Sequence, residues 1–249
     1  MPPLETATNA TQAQDGPVSV DEASWLFSRS QFHREVTLPW LDRMGFFWIL
    51  PYSLMTKFEG HAFVEFTHIL PGALWVALIP FQLHPTWRNN HRQLHRILGY
   101  LFVATSLSIS GAIFVLQYQK LTFDYHAPFD TLPPRMVDTI QIPMTWLVTF
   151  WFGGTGVHAV RLARTGDYQQ HQVYMLRHVA AGLWVSTQRN IIFPLVQLVL
   201  RMFLEEVPNW LRRELFGGTA NLAMLTTAAM AEFVIYRISR LRSQTKKNA

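Results

Sequence analysis

The sequence predicts an all-α fold, a polytopic membrane helix bundle of about five to six spans around an up-down four-helix core. Residues 66–87, 97–117 and 140–160 contain no Asp, Glu, Lys or Arg, and each stretch exceeds twenty residues. That is about the length a helix needs to cross a hydrocarbon layer of roughly 30 Å. Charged residues make up only 15% of the chain, whereas soluble proteins contain about 25%. A lipid bilayer is therefore the expected partner.

Five spans follow from these stretches and from the loops between them. They are span A at 61–82, span B at 96–118, span C at 139–163, span D at 172–203 and span E at 217–237. Span D is interrupted by Arg189 and Asn190 and, a turn later, by Pro194. Spans A–D form the expected four-helix core, and span E packs outside it.

The chain divides into three expected regions. Residues 1–40 are expected to form a disordered arm and an interfacial helix, residues 41–238 the transmembrane domain and residues 239–249 a basic cytoplasmic tail. The short apolar segment 44–56 contains Pro51, and its length suits either a re-entrant segment or a further span.

Basic residues are unevenly distributed between the two ends of the spans. Eleven lie in the A–B loop, around the C–D loop (Arg161, Arg164 and Arg177) and in the tail, against five at the other end. Positive residues concentrate on the cytoplasmic side, so we expect a multi-pass protein with a cytoplasmic C-terminus and no nucleic-acid partner. Glu232 is expected to pair with Arg237 or with an arginine of the C–D loop. The absence of cysteine excludes disulfides and thiolate metal sites.

Six histidines collect at the predicted cytoplasmic ends of spans A–D: His84, His91, His95, His158, His171 and His178. Imidazole is a common ligand of haem iron and of other transition metals, and a b-type haem needs two such groups on opposed helices. The candidate cofactor-binding residues are His95, His158, His171 and His178, with haem b as the candidate cofactor. The alternative is that these histidines, flanked by arginines, contact lipid phosphates.

A second polar set lies toward the other end of the spans. His61, Glu65 and His68 follow the i, i+4, i+7 spacing of one helix face. Arg189 lies about 25 Å into span D, at 1.5 Å per residue, so it reaches a similar depth. Intramembrane charges usually face a partner or a wet cavity. Glu65, His68 and Arg189 are therefore candidate catalytic residues in a pocket for a lipophilic substrate or quinone. The alternative is an ion pair that fixes the bundle.

Several motifs follow one another along spans A–D. They are His68-x-x-x-Gly72, Gln82, Arg88, His95-Arg96-x-x-Gly99-Tyr100, His171-x-x-Tyr174-Met175-x-Arg177-His178 and Arg189. In this order, over about residues 61–200, they resemble the predicted membrane proteins of domain-of-unknown-function family 2306. The resemblance implies the span arrangement and no particular reaction; it singles out His68, His95, Arg96, His171, Met175, Arg177 and Arg189. This chain has Gln172 where the family usually has Arg, and His178 where it usually has Ser.

Three classes of function remain open from the sequence. The first is a haem- or metal-binding redox protein that acts with a lipophilic partner. The second is a cofactor-free enzyme in which Glu65 and His68 exchange protons with a lipophilic small molecule and Arg189 stabilises negative charge. The third is a non-catalytic transporter or scaffold. The sequence leaves the reaction and the oligomeric state open.

Overall fold

The computed structural model describes residues 32–43, 56–122 and 136–247. The chain forms two compact units, residues 1–44 and residues 45–249. In the first unit, a π-helical turn, His33–Thr37, leads into α1, Leu38–Arg43, which buries Leu38 and Leu41 and exposes Trp40. The predicted arm and most of segment 44–56 lie outside the described residues.

The second unit consists of helices joined by short turns. In chain order they are α2 (Ala62–Leu83), α3 (Pro85–Asn90), α4 (Arg92–Tyr118), α5 (Met136–Arg164), α6 (Tyr168–Thr187), α7 (Phe193–Arg201) and α8 (Asn209–Lys247). A π-helical turn, Gln188–Ile192, joins α6 to α7 without a break. The described residues contain no strand, so the predicted all-α class is confirmed.

Hydropathy supports the predicted membrane bundle. Three of the described helices are long and apolar enough to cross a membrane: Ala62–Leu83, Arg92–Tyr118 and Asn209–Gln244. They correspond to spans A, B and E. The count of five to six spans stays approximate, because α5 and the α6–α7 pair fall outside this group. Helix α8 continues to Lys247, so most of the predicted basic tail prolongs the last helix.

Capping residues define the turn between α5 and α6. Gly166 has a φ of +85°, a conformation that glycine adopts without steric cost. The Asp167 carboxylate then accepts a hydrogen bond of 3.1 Å from the Gln170 backbone N–H, which satisfies one of the free amides of the first turn. The turn reverses the chain, so α6 runs back along α5.

The core lies between four antiparallel helices, as the up-down prediction requires. One buried cluster joins Trp75 and Leu78 of α2, Phe102 of α4, Phe152 and Ala159 of α5, and Met175 and Val179 of α6. Helix α8 packs outside this core, mainly against α6 and also against α5. A smaller apolar cluster (Val64, Leu116 and Leu121) closes the end of the α2–α4 pair remote from the predicted cytoplasmic side.

Two π-helical turns interrupt the long helices, and each precedes a proline by two residues. Glu65–Ile69 lies before Pro71 in α2, and Gln188–Ile192 lies before Pro194 in α7. A proline inside a helix has no N–H to donate, and its ring clashes with the carbonyl four residues earlier. A wider preceding turn relieves that clash. Such π-turns are rare and often occur at functional sites.

Candidate functional site

The predicted catalytic residues lie at one end of the bundle, on the two π-turns. The indole Nε1–H of Trp75 donates to His178 Nε2 at 3.3 Å, which fixes the register of antiparallel α2 and α6. His68 lies seven residues before Trp75, and Arg189 lies eleven after His178. Both displacements lead away from the predicted cytoplasmic end. The structure therefore brings His68 and Arg189 to the same end, where they interact electrostatically.

The π-turn of α2 is held by a hydroxyl from α4. Because Pro71 has no N–H, the Thr67 carbonyl four residues earlier lacks its usual helical partner. The Ser108 hydroxyl donates to this carbonyl at 2.8 Å. The interhelical bond fixes the orientation of the turn that carries Glu65 and His68.

Within this cluster, His68 has an unused nitrogen. Its Nδ1 is buried and has no hydrogen-bond partner among the described residues. The Ile109 backbone lies within bonding range of the same imidazole, and Lys57 and Arg189 interact with it electrostatically. Glu65, on the same turn, is buried. One carboxyl, one imidazole and two cations therefore share this end of the bundle.

The second π-turn is anchored to α8. The buried Gln188 side chain donates from Nε2 to the Phe216 carbonyl at 2.8 Å and to Thr219 Oγ1 at 3.1 Å. Arg189, the next residue, is exposed at the helix surface, and its guanidinium carbon lies 6.0 Å from the Phe216 ring centroid. Gln188 thus fixes the backbone from which Arg189 projects.

His178 occupies the centre of the four-helix core, with no exposed surface. Its Nδ1 lies 2.9 Å from the Phe152 carbonyl, and its Nε2 receives the Trp75 bond and lies 2.9 Å from Ser106 Oγ. Because a carbonyl only accepts and an indole N–H only donates, the imidazole carries its proton on Nδ1. Neither nitrogen then presents a free lone pair, so the ligand role predicted for His178 would require breaking these bonds.

Close packing also confines the His178 ring. The ring stacks on Phe152 with centroids 4.6 Å apart and an interplanar angle of 4°. A Cβ atom at Gly156 would lie 3.0 Å from His178 Cε1, and one at Gly182 would lie 2.3 Å from Trp75 Cη2. Glycine at both positions makes room for the rings.

The other three predicted cofactor ligands lie nearer the predicted cytoplasmic end. His171 Nδ1 lies 2.9 Å from the Ala159 carbonyl, which leaves Nε2 as its basic nitrogen. His95 interacts electrostatically with His171, and its Nδ1 is buried without a hydrogen-bond partner in the described parts of the chain. His158 packs edge-on against Tyr174, with ring centroids 4.3 Å apart. The structure thus brings His95 and His171 together. Within the described ranges, no three His, Asp or Glu side chains are arranged to hold a metal ion.

An ion pair joins α6 to α8. Arg177 Nε and Nη2 donate to the two carboxylate oxygens of Glu232 at 2.6 and 2.9 Å. The Arg177 guanidinium carbon lies 5.3 Å from the Tyr174 ring centroid. Nearer the predicted cytoplasmic end, Arg242 of α8 donates to the Gln172 side chain. The sequence predicts that Glu232 pairs with Arg237 or with an arginine of the C–D loop; its partner is Arg177, which lies in α6 after that loop.

Sequence reasoning missed two features of these sites. It did not identify the π-turns, although Pro71 and Pro194 signal an irregular helix just before each of them. It also missed the bonds of Trp75 and Ser106 to His178. The only local signal for those contacts was that a tryptophan, a serine and a histidine occupy otherwise apolar stretches.

Comparison with known proteins places the chain in a family. A family model described as a predicted membrane protein of domain-of-unknown-function family 2306 matches residues 65–235. No curated protein and no solved structure matches the chain. The matched region contains α4, α5, α6, α7 and most of α2 and α8, and it includes both π-turns. Because the match covers more than half of the sequence, the chain belongs to this family of predicted membrane proteins.

Proposed function

We propose that this integral multi-pass membrane protein binds the polar head of a lipophilic small molecule at the Glu65–His68–Arg189 cluster and exchanges a proton with it. One observation carries the proposal. A buried imidazole nitrogen without a hydrogen-bond partner in the described residues lies on the π-turn of α2, within electrostatic range of two cations, one of which lies on the second π-turn. Buried polar atoms are nearly always bonded, so an unbonded one beside charged groups suits a ligand.

Each residue has a role that follows from its position. The unprotonated nitrogen of His68 accepts a proton from an acidic hydroxyl on the head group. The anionic oxygen that remains is stabilised by Arg189 and Lys57. Glu65, one helical turn before His68, is the second group able to exchange a proton. Lipid-facing surface around the cluster, such as the exposed Phe63 and Ile191, contacts the apolar tail.

A coloured probe tests binding and proton transfer together. A 2-hydroxy-1,4-naphthoquinone with a long 3-alkyl chain partitions into lipid, and its visible absorption changes when the hydroxyl loses its proton. We expect the purified protein in lipid nanodiscs to shift the probe spectrum toward that of the anion, at a pH where the probe in empty nanodiscs is protonated. Arg189→Gln and His68→Gln should each reduce this shift at least tenfold.

The matched control removes the same charge elsewhere on the α6–α7 unit. Arg201 is an exposed residue at the end of α7. The Arg201→Gln variant should leave the spectral shift of the probe unchanged. The proposal is wrong if the wild-type protein gives no saturable shift, or if Arg189→Gln and Arg201→Gln behave alike.

A second candidate function is the binding of haem b at the predicted cytoplasmic end. It is favoured by one contact: His171 Nδ1 bonds to the Ala159 carbonyl, as metal-bound histidines commonly do with their second nitrogen. His95 is the other residue that fits, whereas His158 packs on Tyr174 and His178 has both nitrogens bonded. An absorption spectrum tests this candidate, since haem would give a Soret band lost in His171→Ala. Colourless protein purified from haem-supplemented cells would refute it.

A further inference from the structure

A cavity between α5, α6 and α8 lies apart from both sites described above. Its volume is about 140 Å³, and it opens partly to the surface. Two tryptophans, Trp151 and Trp184, and the Arg177–Glu232 ion pair line it, together with alanines of α6 and α8. Apolar cavities of about 150 Å³ have bound a single benzene ring, so this one has the size of one aromatic ring.

Small residues create the space. Ala180 and Ala181 of α6 face Ala228 and Ala231 of α8 across the cavity. Larger side chains at these four positions would fill the cavity. The residues that line the cavity come from α5, α6 and α8, and none comes from α2 or α4.

The ion pair supplies hydrogen-bonding groups inside this apolar wall. Arg177 uses two N–H groups for Glu232, whereas a guanidinium has five. Each carboxylate oxygen of Glu232 has capacity for a further bond, and the Glu232 side chain is 54% exposed. The pair therefore offers a donor and an acceptor side by side. A hydroxyl group, which both donates and accepts, matches that pair with one atom.

We infer that the cavity is a binding site for a single aromatic ring that carries a hydroxyl group, the chemistry of a phenol. The ring packs between Trp151, Trp184 and the four alanines. Its hydroxyl donates to a Glu232 carboxylate oxygen and accepts from the Arg177 guanidinium. The site does not depend on the Glu65–His68–Arg189 cluster, since none of those residues lines it.

Two matched probes test the inference. 4-Fluorophenol and 4-fluorotoluene have nearly the same size, and only the first has a hydroxyl. We expect ¹⁹F NMR titrations of the protein in nanodiscs, corrected with empty nanodiscs, to give saturable binding of 4-fluorophenol at least tenfold tighter than that of 4-fluorotoluene. Glu232→Gln should reduce the preference for the phenol to less than threefold.

Variants that fill or spare the cavity complete the test. Ala228→Phe and Ala180→Leu should each abolish saturable binding of 4-fluorophenol. If circular dichroism shows that the Ala228→Phe variant is unfolded, the Ala180→Leu variant decides the result. Arg189→Gln should leave phenol binding unchanged, which separates this site from the proposed function. Absence of saturable binding in the wild-type protein, equal affinity for both probes, or retained binding in a folded Ala180→Leu variant would each overturn the inference.

Discussion

Two histidines of the same bundle, each with a buried ring nitrogen, have opposite chemical situations. His178, at the centre, has a bond to each ring nitrogen and aromatic rings on several sides. His68, near one end, has a buried Nδ1 with no bond among the described residues and charged groups within range. Burial of a ring nitrogen alone therefore does not distinguish a histidine that holds the core together from one that we propose binds a ligand. The hydrogen-bond state of each nitrogen does.

The backbone around the two histidines also differs: it is regular around His178 and irregular around His68. Regular helices surround His178, and the glycines at 156 and 182 fit closely against the rings there. A π-turn carries His68, and a second π-turn carries Arg189 nearby. Regular helices pack closely in the middle of the bundle, whereas irregular backbone at its end carries the residues that we propose bind a ligand. The comparison predicts that substitutions in the middle affect mainly stability and those at the end affect mainly binding.

The largest stability effect is expected at Gly182. A Cβ there would lie 2.3 Å from Trp75 Cη2 and 2.8 Å from Phe152 Cε2, so Gly182→Leu should destabilise the protein by more than about 3 kcal/mol through overpacking. Thermal unfolding in detergent, followed by circular dichroism, measures the effect. Gly154→Leu is the control, because a Cβ at that glycine of α5 would meet no atom of another described element within 4 Å. Equal loss of stability in both variants would contradict the packing assigned to the core.

A second prediction contrasts the two histidines directly. His178→Ala removes bonds from Trp75 Nε1 and the Phe152 carbonyl and leaves a cavity, so it should cost about 2–3 kcal/mol of unfolding free energy. His68→Ala removes an imidazole with an unbonded nitrogen and should cost less than about 1 kcal/mol. The hydroxynaphthoquinone shift should be lost in His68→Ala and retained in His178→Ala protein that remains folded. The reverse pattern would overturn the distinction between the two residues.

Sequence alone predicted the fold better than the sites, for a physical reason. The length of an uncharged stretch is a local property, so spans A and B, which the structure shows as long apolar helices, could be located directly. The state of His178 depends on Trp75, which is 103 residues away in the chain, and no local pattern reports such a bond. The candidates His68 and Arg189, which were grouped by their depth, lie at the same end of the bundle, whereas the four histidines predicted to hold a cofactor include one that has both nitrogens bonded in the core.

A smaller effect is expected at Gln188, which lies where α6 passes into the π-turn that carries Arg189. Gln188→Ala removes two hydrogen bonds to α8 and leaves the Phe216 carbonyl without that partner, which should cost about 1–2 kcal/mol. It should also weaken hydroxynaphthoquinone binding several-fold, since Arg189 follows on the same turn. Asn190→Ala is the control, because Asn190 is exposed and, among the described residues, its side chain bonds to Ser186 four residues earlier. Similar binding by both variants would show that the anchor to α8 does not position Arg189.

The smallest effect is expected from a pair of serines two residues apart on α4. Ser108 donates to the Thr67 carbonyl that Pro71 leaves without a helical partner, so Ser108→Ala should destabilise the protein by about 1 kcal/mol. Ser110 has a buried hydroxyl with no partner in the described residues, and Ser110→Ala should be neutral or slightly stabilising, since it removes an unbonded buried polar group. Both changes delete one oxygen from the same helix, so their difference in thermal unfolding isolates the bond to the π-turn. If Ser110→Ala were the more damaging of the two, the α2 turn would not depend on that bond, and its irregular backbone would have to be attributed to Pro71 alone.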